Sequence, residues 1–223
     1  MISVVIPVYN EGKILEGTLS ALTQQLGSHE LICVDGGSSD GSAGIAGRFG
    51  KVVSSEKGRA RQMNGGASVA RGGILLFLHA DAVLGEGALS AVEEAVQHGY
   101  GGGCFTQKIQ GDRFLFRTLE FSGNLRARWL HLFYGDQAIF VKREIFREIG
   151  GFPPLPLFED IAFTQRLRRR NRTLVLRHHV YTSARRWEQN GIVKEGFRNW
   201  GLLGLYALGV SPCRLARFYP EVR

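Results

Sequence analysis

Hydrophobic positions along this chain fall into two alternating kinds of segment. Ser3-Val4-Val5-Ile6-Pro7, Leu31-Ile32-Cys33-Val34, Val52-Val53 and Ile74-Leu75-Leu76-Phe77-Leu78 are short continuous runs, the mark of strands covered on both faces. Between them apolar residues recur at helical spacing: Leu15, Leu19, Leu22 and Leu26 after the first run, with Asn10 as the cap, and Ala60, Met63, Ala67 and Ala70 after the third. Strands alternating with helices predict βαβ units and a largely parallel sheet, hence an α/β fold. The fourth run stops at His79-Ala80-Asp81. In open α/β sheets ligands bind beyond the carboxyl ends of the strands, so Asp81 is placed to hold a divalent cation; it also reads as the cap of a helix over 85–96. The second run likewise ends in a carboxylate, Asp35, followed by a Gly/Ser-rich turn.

The helix opened by Gly58 carries small residues on its packed side, which predicts close approach to the sheet. Arg61 in its first turn reads either as a phosphate contact or as solvated charge, and Arg59 as solvated charge. Gly99, Gly101, Gly102 and Gly103 read as a flexible connection. Further on, Gly135 to Val141 is strand-like, Arg143 to Ile149 reads as a short helix closed by Gly150-Gly151, and Pro153-Pro154-Leu155-Pro156 forces an extended loop. Glu159-Asp160 then falls at a helix start, where an acidic pair also serves as a cap. His178 and His179 are adjacent on a strand, face opposite ways and read as structural. The stretches 112–134 and 196–219 interleave aromatic and leucine residues with arginines. They predict helices that cover the sheet or each other, meet an anionic membrane or a lipid-linked acceptor, or pair in a homodimer.

Composition narrows the picture. The 223 residues fit one domain, with a net charge of +8 that calls for an anionic partner. Cys33, Cys104 and Cys213 show no CxxC spacing, so neither a disulfide framework nor a structural zinc site is expected. Residues 1–7 lack a signal-peptide pattern and no apolar run reaches the ~18 residues of a membrane span. A cytoplasmic protein, peripheral at most to the membrane, is expected. A dinucleotide-binding dehydrogenase is excluded, because Pro7-Val8-Tyr9-Asn10-Glu11-Gly12 stands where G-x-G-x-x-G should follow the first strand.

Val5 to Glu11, Val34 to Gly41, Gly58 to Gly66 and Leu78 to Asp81 resemble, in order and spacing, the nucleotide-binding motifs of family 2 glycosyltransferases. The resemblance implies a GT-A fold: a Rossmann-like, mixed, mostly parallel sheet flanked by helices, here with a helical C-terminal segment. It implies an inverting transfer of a sugar from a nucleotide diphosphate, with uridine as the base and Mg2+ or Mn2+ as cofactor. By the same resemblance Tyr9 lies against the base, Glu11 shapes the donor pocket, and Asp35 accepts hydrogen bonds from base or ribose. Pro7, Arg61, Asn64 and His79 complete the nucleotide-sugar contacts, and Asp81 is the metal carboxylate. Two departures stand out: His79 occupies the first acidic position of the D-x-D-like motif, and Gly36 replaces the acidic residue usual after Asp35. One carboxylate still suffices for a hard cation that takes its other oxygens from water and substrate phosphates.

In the second half, Gly-Gly-Phe, a loop, Glu159-Asp160 and an arginine-rich helix resemble the family's catalytic segment, which makes Asp160 the general base and Glu159 its support. Asp136, Gln137, Arg186 and Trp187 fall on the acceptor side. Ser183 to Trp187 is similar to the Q-x-x-R-W motif of processive members, but Ser183 replaces the glutamine, so one sugar per encounter is expected. Residues 1–100 then bind donor, 101–195 hold acceptor and base, and 196–223 form an amphipathic end. Gly58 to Asn64, Leu78 to Asp81, Gly135 to Ala138 and Phe158 to Phe163 are also similar to a small bacterial subgroup associated with arsenosugar biosynthesis. The competing class, a basic nucleic-acid-binding protein without enzymatic activity, gives Asp81 no role and wants aromatics on an open sheet face. The carboxylate positions argue against it, and no nucleic-acid partner is expected.

Overall fold

The computed structural model describes residues 1–219, apart from the side chain of Arg186. Strands β1 (Ile2–Val8), β2 (His29–Asp35), β3 (Lys51–Ser54) and β4 (Ile74–Phe77) run parallel, joined through helices α1 (Gly12–Thr23), α2 (Ser42–Gly47) and α3 (Arg59–Val69). Ile2, Val4, Ile6 and Val8 face one layer with Leu15, Leu19 and Leu22, while Val5 faces the other with Met63 and Ala67. Because β1 is buried on both faces, it reads as a continuous apolar run. The small side of α3 does bring that helix close: a Cβ on Gly66 would fall 2.3 Å from Val5 Cγ1.

After β5 (Ala82–Leu84) and α4 (Ala88–Gln97), the second half adds β6 (Gly102–Ile109), α5 (Phe114–Leu130), β7 (Ile139–Lys142), α6 (Arg143–Glu148), α7 (Glu159–Arg170) and β8 (Thr173–Thr182). It ends in α8 (Arg185–Asn190), α9 (Ile192–Ala207) and α10 (Pro212–Leu215). β7 pairs antiparallel with β4 and β6, β8 runs parallel to β6, and β5 closes the far edge antiparallel to β8. The result is one eight-stranded sheet in the order β3-β2-β1-β4-β7-β6-β8-β5. A mixed, mostly parallel sheet flanked by helices, with a helical end, is the architecture expected. Among the described residues no helix is long and apolar enough to cross a membrane.

Four local readings are corrected. The glycine cluster is no flexible connection: Gly102 and Gly103 begin β6, where a Cβ would lie 2.6 Å from Phe140 O and 2.1 Å from Leu174 O. Only glycine fits between those neighbouring strands. Asn10 does not cap α1; it adopts φ 54° and its side-chain oxygen accepts the Ser39 N–H, while Asp40 Oδ2 accepts the Gly12 N–H at 2.8 Å. Leu26 lies past the end of α1 and is exposed. Asp81 caps no helix, because β5 intervenes and Gly87 precedes α4.

Candidate active site

The carboxyl ends of β1 and β2 are laced together. Asp35 accepts N–H groups of Gly37 and Ser38, the Ser38 hydroxyl accepts the Asn10 N–H, and Ser42 Oγ accepts that of Glu11. Across this junction lies the buried Gln62, whose amide donates to Val8 O and Val34 O, both at 2.8 Å. A Cβ on Gly36 would already stand 3.0 Å from Gln62 Nε2. Glycine replaces the expected acidic residue because Gln62 fills the space a side chain would need.

Beyond these ends a cavity of about 230 Å3 separates the two halves of the chain. On the first side stand Pro7, Tyr9, Glu11, His79 and Asp81. Arg185 spans the gap to donate to Glu11 Oε2 at 3.0 Å. Burial raises the pKa of Asp81 and the nearby Glu11 charge adds to the rise, with Arg185 and Arg59 opposing. A carboxylate so placed gains from a cation. Among the described residues no group of three or more His, Cys, Asp and Glu could hold a metal. An ion here would take Asp81 as its protein carboxylate and further oxygens from water or a bound ligand.

On the second side stand Asp136, Glu159 and Asp160. The Gly-Gly-Phe turn positions the acidic pair: Phe152 stacks on Phe163 at 4.3 Å and meets Phe77 edge-on at 4.8 Å. Asn64 grips the Phe152 backbone with two hydrogen bonds of 2.8 and 3.0 Å, and Arg166 donates to Ile149 O and Gly151 O. Phe158, at φ 63°, then starts α7. Asp160 Oδ2 accepts the Gly135 N–H at 2.8 Å and its Oδ1 that of Ile161 at 2.7 Å. Gly135 permits the approach, since a Cβ there would lie 2.8 Å from His79 Nε2.

Glu159 is 4% exposed, and its Oε1 has no hydrogen-bond partner. Burial first, and then the neighbouring Asp160 charge, pushes its pKa up to about 7, held back by the Arg59 guanidinium 3.7 Å away. Burial also raises Asp136, against a hydrogen bond from Gln107, and leaves its Oδ1 unpartnered. Tyr134, Leu157, Phe158, Leu202 and Tyr219 close this end with apolar and aromatic surface.

Pro7, Tyr9, Glu11, His79, Asp81, Asp136, Glu159, Asp160 and Trp187 thus converge on one cavity. Asp35, Arg61, Asn64 and Gln137 do not line it. Asp35 serves its own turn, Arg61 is exposed and paired with Glu56, and Asn64 holds the Phe152 loop. Gln137 is buried, accepting from Arg126 and from the Tyr134 N–H. The Arg186 side chain lies outside the described residues. Sequence reasoning missed Arg59, Gln62, Arg185 and the closing surface from α9. For Arg59 the signal was its place as the first residue of α3, immediately after Gly58 at φ 143°.

Comparison with known proteins follows the same lines. Residues 3–155 match the family model Glycosyl transferase family 2. The chain is 31% identical over 171 residues to a PGL/p-HBAD biosynthesis glycosyltransferase of Mycobacterium tuberculosis, covering 68% of this chain and 63% of that protein. It is 35% identical over 106 residues to the glycosyltransferase GlyG of Streptococcus pneumoniae, covering 44% and 35%. The first relatives are spanned over only 38%, 30% and 35% of their length. Among solved structures, mannosyltransferase PcManGT from Pyrobaculum calidifontis in complex with GDP-Man and Mn2+ superposes with a TM-score of 0.70 at 21% identity, covering 100% of this chain and 65% of that one. S. aureus TarS 1-349 gives 0.68 at 20%, covering 82% and 60%. Likeness at such identities establishes a GT-A-like fold and leaves function to other evidence. The family match runs over more than half of the sequence and through the β1 and β4 ends that line the cavity, and on it the chain belongs to glycosyl transferase family 2.

Proposed function

We propose that this chain is an inverting glycosyltransferase that moves a sugar from a nucleotide diphosphate donor, with uridine as its base, to an acceptor hydroxyl. The observation that carries the reading is the single cavity in which Asp81 and Glu11 face Glu159, Asp160 and Asp136. Donor binds at the β1 and β4 ends and acceptor beneath α7 and α9. The acceptor oxygen attacks the anomeric carbon while the bond from that carbon to the diphosphate oxygen breaks. Asp160 takes the hydroxyl proton, and the nucleoside diphosphate leaves with the electron pair. Each Asp160 oxygen holds one backbone N–H and keeps a second lone pair for this task. Arg59, not Arg61, lies where a cation can stabilise the departing charge. Asp81, with the donor phosphates, would hold Mg2+ or Mn2+, which would supply Lewis-acid stabilisation of the same leaving group.

The fold relatives differ in donor, GDP-Man for PcManGT and UDP-GlcNAc for TarS, so the choice of uridine rests on motif resemblance. That resemblance also points to an acceptor of the arsenosugar-associated kind, while Leu157, Phe158 and Leu202 offer apolar wall enough for a lipid-linked one. The experiment is release of nucleoside diphosphate from a panel of UDP- and GDP-sugars, with Mn2+ or with chelator, in the presence of candidate hydroxyl acceptors. One donor should turn over, in Mn2+ only, and yield a product of inverted anomeric configuration. Retained configuration, or no release from any donor, contradicts the proposal.

A further inference from the structure

We infer that α5 and α9 form a docking surface for an anionic lipid bilayer. On α5, Phe114, Phe121, Leu125 and Trp129 recur at i, i+7, i+11 and i+15, which sets them in one stripe along the helix. All four are exposed, Phe114 by 80% and Trp129 by 78%. On α9, Val193, Phe197, Trp200 and Leu208 recur at i, i+4, i+7 and i+15 and are exposed in the same way, Leu208 by 83% although it lies just past the last turn. The two helices are neighbours, since Ile192 at the start of α9 packs with Phe116 and Leu119 of α5, and that contact uses other faces than the stripes. So much large apolar side chain on adjacent helices marks a surface that is covered in use.

The charges around the stripes identify what covers it. Arg113, Arg128, Lys194, Arg214 and Arg217 are exposed. Within α5 and α9 the carboxylates Glu120 and Glu195 are buried and paired with Arg117 and Arg198, and Asp112, beside Arg113, is exposed. A second copy of the chain meeting the first through this surface would bring like charges together. An anionic bilayer instead takes the aromatic rings at headgroup depth and the cations against its phosphates. The surface is tied to the cavity through α9, which turns Asn199 and Leu202 inward while Phe197 and Trp200 face out. Docking therefore holds the acceptor end of the cavity next to the lipid. None of this depends on the transfer reaction.

The test is flotation of the full chain with vesicles of phosphatidylcholine, with and without phosphatidylglycerol, at low and high salt. Binding should require phosphatidylglycerol and be lost at high salt, as screening demands. Trp129→Ser combined with Trp200→Ser should weaken it on the order of tenfold, with the melting temperature unchanged because both rings are exposed. Lys194→Glu and Arg217→Glu should each weaken it about fivefold or more. Absence of binding at low salt, equal binding to both vesicles, or a stable dimer in sedimentation velocity that the double tryptophan variant dissolves would overturn the inference. UDP affinity of the same variant, measured in parallel, keeps such a failure separate from failure of the transferase reading.

Discussion

Glu159 and Asp160 are consecutive residues whose surroundings divide their roles. Both oxygens of Asp160 are held by backbone N–H groups, which fixes the carboxylate in the cavity, whereas Glu159 is buried with its Oε1 unbonded and the Arg59 guanidinium 3.7 Å away to balance it. Asp160→Asn should lower transfer by ~10²- to 10⁴-fold, while donor affinity holds and stability drops by no more than one hydrogen bond, about 1 kcal/mol. Turnover near that of the parent would move the base to Asp136, whose free Oδ1 faces the same space. Glu159 makes a separate prediction. Its pKa is raised to about 7 in the folded protein, above the ordinary carboxylate value, so between the two values the folded state binds more protons than the unfolded. Stability from this group is therefore full below the ordinary carboxylate range and is lost as pH rises through about 7. Melting temperatures of the parent should fall across that window more steeply than those of Glu159→Gln; parallel curves would show that Glu159 is not held protonated.

At the scale of elements, the strands and helices of the first half were legible because both faces of the sheet are covered, leaving apolar runs that nothing else explains. The start of β6 was not, since glycines demanded by a tight crossing between strands look locally like those of a loop. Arg59, read as solvated charge, lines the cavity while Arg61 is exposed, for a related reason. Two residues apart on a helix they point in nearly opposite directions, and the side that meets the cavity is set by docking of α3, which the local sequence does not encode. Asn64 and Gln137 read as ligand contacts from the motifs they stand in, yet Asn64 holds the Phe152 backbone and Gln137 accepts from Arg126 and the Tyr134 N–H. Gln62 tests how far this internal bonding supports the site. Gln62→Ala removes the amide that joins Val8 O to Val34 O, although Val8 O keeps the Gly36 N–H, at roughly 0.5–1.5 kcal/mol for each hydrogen bond lost, and should weaken nucleotide binding through β1 and β2. Unchanged melting temperature would show that water replaces the amide.

Over the whole molecule, the antiparallel pairing of β7 with β4 joins the first and second halves of the chain into one sheet and brings residues from positions 7 to 219 around one cavity. Motif order in the sequence pointed to Pro7, Tyr9, Glu11, His79 and Asp81, which do line the cavity. The closing contribution of α8, α9 and Tyr219 is a product of tertiary packing, carried by contacts such as the Phe158 ring against Tyr206 at 4.9 Å. Asp81 is proposed as the protein's share of a metal-linked donor site, and calorimetry of UDP binding tests that role most directly. In Mn2+ the parent should bind UDP, and chelator or Asp81→Asn should each weaken binding to a similar degree, with no further loss when the two are combined. Equal affinity in Mn2+ and in chelator, or full Mn2+-dependent binding by Asp81→Asn, would contradict it.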